Sequence, residues 1–187
     1  MRLFLALELA TELIDALELA IAPLRAEAPE IAWVAPQKRH LTLKFLGDVD
    51  EAQLAPVVAM TDDLARVHRP FSMQIGGHGA FPNFRRARVV WIGVEREARL
   101  ELLHHDLEIA GELAGVEIEG RAFRPHVTLA RVRVPLAYER ARRLARAARK
   151  IDFSATQHIG EITLFESTLG QAGAPYRRLH AAPLGGC

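Results

Sequence analysis

The chain has 187 residues, of which 50% are hydrophobic and 25% charged, with a formal net charge of +1 at pH 7. This composition is typical of a globular protein with a substantial core, and it excludes a global basic field for nucleic acid. The single cysteine, Cys187, excludes an intrachain disulfide and a cysteine-based metal site. No apolar stretch is long enough to span a membrane and no signal-peptide pattern is present, so we expect a cytoplasmic protein without a membrane partner.

Hydrophobic periodicity predicts alternating strands and helices. In chain order they are a strand over 2–9, a helix over 12–28, strands over 31–34 and 40–46, a helix over 51–67, strands over 71–76 and 88–94, a helix over 97–113, a strand over 126–132, a helix over 136–150, strand sequence over 152–168 and a final strand over 176–179. Asp50 followed by Gln53 has the spacing of a capping box at the start of the second helix. Strands interrupted by four helices, without a low-complexity linker, predict an α+β or α/β sandwich.

Three stretches of the sequence each allow two interpretations. Gly76-Gly77-His78-Gly79 fits a β-bulge or close backbone approach, and fits a phosphate loop less well because no helix N-terminus follows it. Phe84-Arg85-Arg86 is either a solvated hairpin tip or a place where a base stacks and a phosphate binds. The helix over 136–150 is strongly basic, and its charge forms either a solvated face or a surface that attracts RNA.

Two of the predicted strands contain the same short pattern. His40-Leu41-Thr42-Leu43 and His126-Val127-Thr128-Leu129 both read His-x-Thr-Leu, and no other histidine of the chain has threonine two residues later. Residues i and i+2 of a strand point to the same face, so each pattern presents one imidazole and one hydroxyl together, over apolar backing. The simplest arrangement that brings the two patterns together is two lobes that share a groove, with one pattern strand from each lobe.

Three kinds of chemistry compete for paired histidines. Metal binding normally recruits three or four ligands, and neither pattern has a further histidine or carboxylate beside it. A nucleophilic triad needs serine or cysteine on a tight turn, but the sequence contains no Gly-x-Ser-x-Gly and its cysteine, Cys187, is terminal. General acid–base catalysis by one neutral and one protonated imidazole needs no further ligand. Two neutral hydroxyls suit the non-bridging oxygens of a phosphate, so the patterns predict metal-free displacement at phosphorus, for which a strained 2',3'-cyclic phosphodiester at an RNA end is a suitable substrate.

The sequence resembles the RNA 2',3'-cyclic phosphodiesterases, also called 2'-5' RNA ligases, of the two-histidine (2H) phosphoesterase superfamily. The resemblance covers nearly the whole chain. The matching segments are Arg2-Leu3-Phe4-Leu5-Ala6-Leu7, Trp33, the first pattern with Lys44-Phe45-Leu46-Gly47, Gly79-Ala80-Phe81-Pro82, Phe123-Arg124-Pro125 with the second pattern and Ala130-Arg131, Ser167-x-Leu169, and a late Gly-x-Pro-Tyr.

The resemblance implies one bilobal domain over 1–187, with an α+β fold of two pseudo-symmetric antiparallel-sheet lobes, outer helices and a central cleft. It implies hydrolysis of a terminal 2',3'-cyclic phosphate to a 2'-phosphate without metal or cofactor, and reversible 2'-5' ligation. His40 would be the proton donor and His126 the proton acceptor, while Thr42, Thr128, Phe45 and Arg131 would bind substrate. The expected partner is RNA with cyclic phosphate ends, such as tRNA halves, and a monomer is expected. The alternatives are a phosphodiesterase for small cyclic nucleotides such as ADP-ribose 1'',2''-cyclic phosphate, and an RNA-binding module with incidental catalysis.

Overall fold

The structure, a computed structural model, describes residues 1–116, 118–168 and 176–185. Within these residues the helices are α1 (Thr11–Glu27), α2 (Glu51–Val67), α3 (Ala98–Leu113) and α4 (Tyr138–Ala148). The strands are β1 (Arg2–Glu8), β2 (Ala32–Trp33), β3 (His40–Asp48), β4 (Phe71–Phe81), β5 (Val89–Val94), β6 (His126–Arg131), β7 (Ser154–Ile159), β8 (Glu161–Ser167) and β9 (Tyr176–Pro183). None of these helices has the length and apolar character needed to cross a membrane.

The strands form one sheet with the two pattern strands at its centre. The strand order is β7-β4-β5-β6-β3-β1-β8-β9, and β2 pairs with β6 at the side. All recorded pairings are antiparallel, and the register pair Leu41↔Val127 joins β3 to β6. Apart from β2, each half of this order therefore contains four strands and ends at the centre in one His-x-Thr strand. This arrangement confirms the predicted α+β fold with two antiparallel halves, while the assignment of 1–187 to a single domain stays a prediction.

The helices pack through the apolar stripes that their sequences predict. In α1, Leu13, Leu17, Ile21 and Leu24 are all buried. Each such side chain contributes about 1.5–3 kcal/mol relative to an exposed one. The second helix begins where the capping pattern predicts, and the Asp50 N–H donates a hydrogen bond of 3.1 Å to the Gln53 side-chain oxygen.

The glycine-rich stretch after residue 75 is part of a strand and not a phosphate loop. Strand β4 continues to Phe81, and its register against β5 shifts between Ile75 and His78, with Gly77 at a φ of +67°. The β-bulge interpretation is therefore confirmed. A Cβ on Gly79 would lie 2.2 Å from Trp91 Cζ2, so glycine allows this indole to lie against the backbone of β4.

Three other expectations differ from the structure or fall outside it. The strand sequence over 152–168 forms two strands that break at Gly160, because β7 pairs with β4 in one half of the sheet and β8 pairs with β1 in the other. Leu113, expected to point inward, is 86% exposed because α3 ends at this residue. The turn expected over 170–173 lies outside the described residues.

Candidate active site

Each central strand presents its histidine and threonine on the same face. His40, Thr42, His126 and Thr128 are partly exposed, while the residues between them, Leu41 and Val127, are fully buried. The alternation predicted from the sequence is therefore present on both strands.

The register between β3 and β6 places the two patterns crosswise. Leu41 pairs with Val127 in an antiparallel ladder, so continuing that register sets His40 opposite Thr128 and Thr42 opposite His126. Directly opposed residues of such a ladder have Cβ atoms about 4.5–5.5 Å apart, and diagonal residues are about 7–8 Å apart. The two histidines occupy a diagonal of this kind, so we expect a space between the imidazoles that is suited to one tetrahedral group.

Both central strands contain a β-bulge just after the threonine. Against β1, Ala6 pairs with Thr42 and Leu5 with Lys44, so Leu43 is an extra residue. Against β5, Trp91 pairs with Thr128 and Val90 with Ala130, so Leu129 is the extra residue on the second strand. A bulge reverses the alternation of side chains beyond it.

The bulges explain where Phe45 and Arg131 lie. Each is five residues after its histidine, so strict alternation would direct it to the opposite face. Both side chains are instead exposed, while Lys44 and Ala130 beside them are buried. The Lys44 ammonium lies 2.7 Å from Glu108 Oε2 on α3, so the lysine of this segment faces the core side of the sheet. The structure thus brings all six predicted site residues to one face.

Backbone carbonyls orient both imidazoles in the same way. The Nδ1 atom of His40 lies 3.0 Å from the Lys38 carbonyl oxygen, and Nδ1 of His126 lies 2.7 Å from the Arg124 carbonyl oxygen. A carbonyl oxygen only accepts, so each Nδ1 carries a hydrogen and donates it. In the neutral imidazole, Nε2 then has the lone pair, and this nitrogen is available to exchange a proton with a substrate.

Aromatic rings from neighbouring strands surround both histidines. The ring centroid of His40 lies 5.0 Å from that of Phe4 and 5.2 Å from that of Tyr176. The centroid of His126 lies 5.0 Å from Phe81 and 6.3 Å from Trp91. No sequence pattern predicts a role for these four residues, although Phe4, Phe81 and Tyr176 belong to the segments that carry the family resemblance. Their placement beside the histidines depends on strand pairing, which the patterns alone do not specify.

Burial makes both histidines weaker bases than a free imidazole. Desolvation is the main cause that lowers the pKa of His40, to about 4, while the hydrogen bond to Lys38 opposes this and the positive charge of Arg131 adds to it. The pKa of His126 is lowered by the same causes, with desolvation first, the Arg124 hydrogen bond in opposition and the Arg131 charge in addition. One cation therefore acts on both imidazoles, which indicates that Arg131 lies near the space between them.

A pocket of about 230 Å³ adjoins His40. Its lining includes the rings of Phe165 and Tyr176, the polar side chains of Gln37 and Lys38, and the carboxylate of Glu8. Apolar rings with a few polar groups and a cation are a suitable lining for a nucleotide-sized ligand. Within residues 1–116, 118–168 and 176–185, no three His, Cys, Asp or Glu side chains are arranged to hold a metal ion.

Two crosswise His-x-Thr strands at the centre of a repeated antiparallel sheet define a two-histidine phosphoesterase. The family model described as "LigT like Phosphoesterase" matches residues 7–91 and again 92–176, so each half of the chain matches the model once and contains one pattern. The chain belongs to the LigT-like phosphoesterase family, and the resemblance inferred from the sequence is confirmed.

Similar proteins support the same family. The chain is 33% identical over 175 residues to the RNA 2',3'-cyclic phosphodiesterase of Methanothermobacter thermautotrophicus, covering 94% of both chains. A crystal structure of a Thermus thermophilus protein superposes with a TM-score of 0.81 at 31% identity, covering 100% of this chain and 99% of the other. Escherichia coli LigT complexed with 3'-AMP superposes with a TM-score of 0.71 at 26% identity, covering 98% and 97%.

Proposed function

We propose that this protein hydrolyses the terminal 2',3'-cyclic phosphate of RNA to a 2'-phosphate without a metal ion. The observation that carries the proposal is the crosswise register of the two His-x-Thr strands, with each imidazole held through Nδ1. The name of the M. thermautotrophicus relative and the nucleotide bound to E. coli LigT support the choice of substrate class.

The reaction needs one proton acceptor and one proton donor. His126 Nε2 accepts a proton from water as the water oxygen attacks phosphorus. The bond from phosphorus to the 3'-oxygen breaks, and protonated His40 Nε2 donates its proton to that oxygen, which leaves the phosphate on the 2'-oxygen. The hydroxyls of Thr42 and Thr128 donate hydrogen bonds to the non-bridging oxygens, on which charge increases during attack.

The charge of the substrate prepares the site for this chemistry. Burial lowers the pKa of His40 to about 4, so its imidazole is neutral at pH 7 before substrate binds. A phosphodiester anion between the imidazoles favours the protonated form and raises the pKa of the donor. Arg131 offsets the same negative charge, and Phe45 adds an apolar contact beside it. A 5'-hydroxyl in place of water would form a 2'-5' linkage by the reverse reaction.

The direct test uses an RNA oligonucleotide with a 2',3'-cyclic phosphate end. Wild-type protein should release only a 2'-phosphate end, with the same rate in EDTA, while His40→Ala and His126→Ala should each lower the rate by about 10²–10⁴-fold. Full activity in both variants would contradict the proposal. Parallel assays with ADP-ribose 1'',2''-cyclic phosphate separate RNA ends from small cyclic nucleotides as the preferred substrate.

The donor and acceptor roles need their own test. Burial strongly lowers the pKa of His40, which by itself favours His40 as the acceptor, whereas the family resemblance assigns it as the donor. A cyclic substrate with sulfur at the 3'-position has a leaving group that needs little protonation, so it should rescue only the variant that lacks the donor. Rescue of His40→Ala supports the proposed roles, and rescue of His126→Ala reverses them.

A further inference from the structure

A second concave surface lies between the turn Phe84–Arg86 and helix α4, and none of its lining residues belongs to the histidine cleft. It encloses about 280 Å³, and its side chains include Phe84, Arg85, Tyr138, Arg142, Arg146 and Arg149. We call this surface the arginine groove. It brings together the aromatic–arginine tip and the basic helix, the two sequence features for which the proposed chemistry has no use.

The arginines of α4, together with Arg149 at its C-terminal cap, form two sets with different surroundings. On the side facing α1, Arg140 Nε lies 3.2 Å from Glu30 Oε1, and Arg140 Nη1 donates to the Glu27 carbonyl oxygen at 2.9 Å. Arg143 Nε is 3.9 Å from Glu27 Oε2. The charges of this first set are therefore balanced by acidic residues of the protein itself.

The second set faces the groove and lacks such balance. No Asp or Glu lines the groove, and within the described residues Arg85, Arg146 and Arg149 make no ion pair. Arg142 has a partner in Glu139 at 3.3 Å, but both side chains are more than half exposed, so this pair is weak. A cluster of cations without nearby carboxylates favours an external polyanion.

The shape of the groove suits a single-stranded nucleic acid. Arg142, Arg146 and Arg149 are spaced by four and three residues, so they lie along one helix face over about 10 Å. Small Ala141 and Ala145 also line the groove and leave its floor open. The guanidinium fork binds phosphate in a bidentate manner, and exposed aromatic rings stack on bases without sequence preference.

An aromatic ring and a guanidinium already stack at this surface. Arg142 Cζ lies 5.6 Å from the ring centroid of Tyr138, whose side chain is 62% exposed. Phe84 is partly buried against the core, and Asn83 Oδ1 accepts a hydrogen bond from the Arg86 N–H and fixes the turn. The groove is thus held by fixed elements on both sides.

One wall of the groove, the turn that carries Phe84, is also close to the candidate active site. The Phe81 ring lies 5.0 Å from the His126 ring, and Phe84 follows Phe81 by three residues, so their Cα atoms are at most about 10 Å apart. We propose that the arginine groove binds backbone phosphates of the RNA strand upstream of the cyclic end. This inference rests on the proposed function, because it assumes that the RNA end occupies the histidine cleft.

The first test measures binding and needs no turnover. A fluorescent 12-nucleotide single-stranded RNA with a 3'-phosphate is titrated with wild-type protein, with the double variant Arg146→Gln, Arg149→Gln, and with the control Arg66→Gln, Arg143→Gln, over a range of salt concentrations. The control also removes two positive charges, but from exposed arginines outside the groove that already form ion pairs with acidic residues. Each lost phosphate contact lowers the log–log salt slope by about 0.7 for single strands, so the groove variant should lose about 1.4 and the control nothing.

The second test separates the groove from the chemistry. The groove variant should raise KM for a cyclic-phosphate oligonucleotide about tenfold or more, as expected for two lost charge-assisted contacts, and leave kcat/KM for a mononucleoside 2',3'-cyclic phosphate unchanged. The proposed role of the groove would be wrong if the variant lost the same kcat/KM on both substrates, if its salt slope were unchanged, or if wild-type protein did not bind the RNA. If wild-type protein cleaves neither substrate, the proposed function is wrong, but the salt slopes still show whether the groove arginines contact RNA phosphates.

Discussion

Phe45 and Arg131 occupy matched positions on the two central strands, each five residues after a histidine and each beyond a β-bulge. The two halves of the sheet therefore repeat the same backbone geometry but place an aromatic ring on one side and a cation on the other. On the β3 side, the Phe4 ring contacts both the histidine and the aromatic residue, with its centroid 5.0 Å from that of His40 and 5.9 Å from that of Phe45. Identical His-x-Thr patterns thus acquire different surroundings, which gives a physical basis for different roles.

Arg131→Met should move the pH dependence of catalysis to higher pH. The Arg131 charge lowers the pKa of both His40 and His126, so its removal raises both values. Wild-type kcat/KM should follow a bell-shaped profile with its maximum below pH 6.5, and the variant profile should shift to the alkaline side with a rate about tenfold lower. Arg133→Met, at an exposed neighbour that is not among the charges acting on either histidine, is the matched control. A profile that moves equally in both variants would contradict a specific role for Arg131.

His40→Asn should reduce the loss of stability on acidification. The unfolded chain binds a proton at this histidine near pH 6.5, whereas the folded chain binds it only near pH 4. Stability from this residue is therefore complete above pH 6.5 and decreases as the pH falls towards 4. Denaturant unfolding at pH 7 and pH 5 measures the difference. The variant should lose less stability than wild type between these values, and an equal loss would show that His40 is not the group responsible.

Gly79→Ala should disturb the site from the neighbouring strand. The new methyl group would lie 2.2 Å from Trp91 Cζ2, so the indole beside His126 must move. We expect a destabilisation of about 1–3 kcal/mol and a fall in kcat, because overpacking displaces the ring. Gly120→Ala serves as the control, since nothing lies within 4 Å of its added Cβ. Tryptophan fluorescence should change in the first variant alone, and unchanged stability there would contradict the contact.

Lys44→Met should destabilise the fold more than any loss of a surface ion pair. The Lys44 side chain is 2% exposed and its ammonium lies 2.7 Å from Glu108, so removing it leaves a buried carboxylate without its cation. The expected cost is about 3–5 kcal/mol, and Lys44→Met combined with Glu108→Leu should recover most of it. Arg66→Met breaks the exposed pair with Asp63 and should cost no more than about 1 kcal/mol. Chemical denaturation of all three variants measures these values.

The sequence was sufficient for features that depend on neighbours along the chain. The alternation that places Thr42 beside His40, the apolar stripe of α1 and the start of α2 after Asp50 all follow from local periodicity and capping. The repeated pattern also indicated the chemistry of the site, because the residue types themselves limit what the site can do. The break at Gly160 and the exposed Leu113 were missed, since element boundaries depend on packing that no local pattern records.

Residue order by itself thus determined which side chains each central strand offers, since strand alternation is a local property. Only the tertiary structure decided how they meet. The Leu41↔Val127 register sets the two patterns crosswise, and the bulges at Leu43 and Leu129 return Phe45 and Arg131 to the shared face. Pairing between strands distant in the chain decides these relationships. The acidic residues at and just after the end of α1 likewise balance only one side of α4, and the arginines of the other side remain without carboxylate partners beyond Glu139 in the described part of the chain.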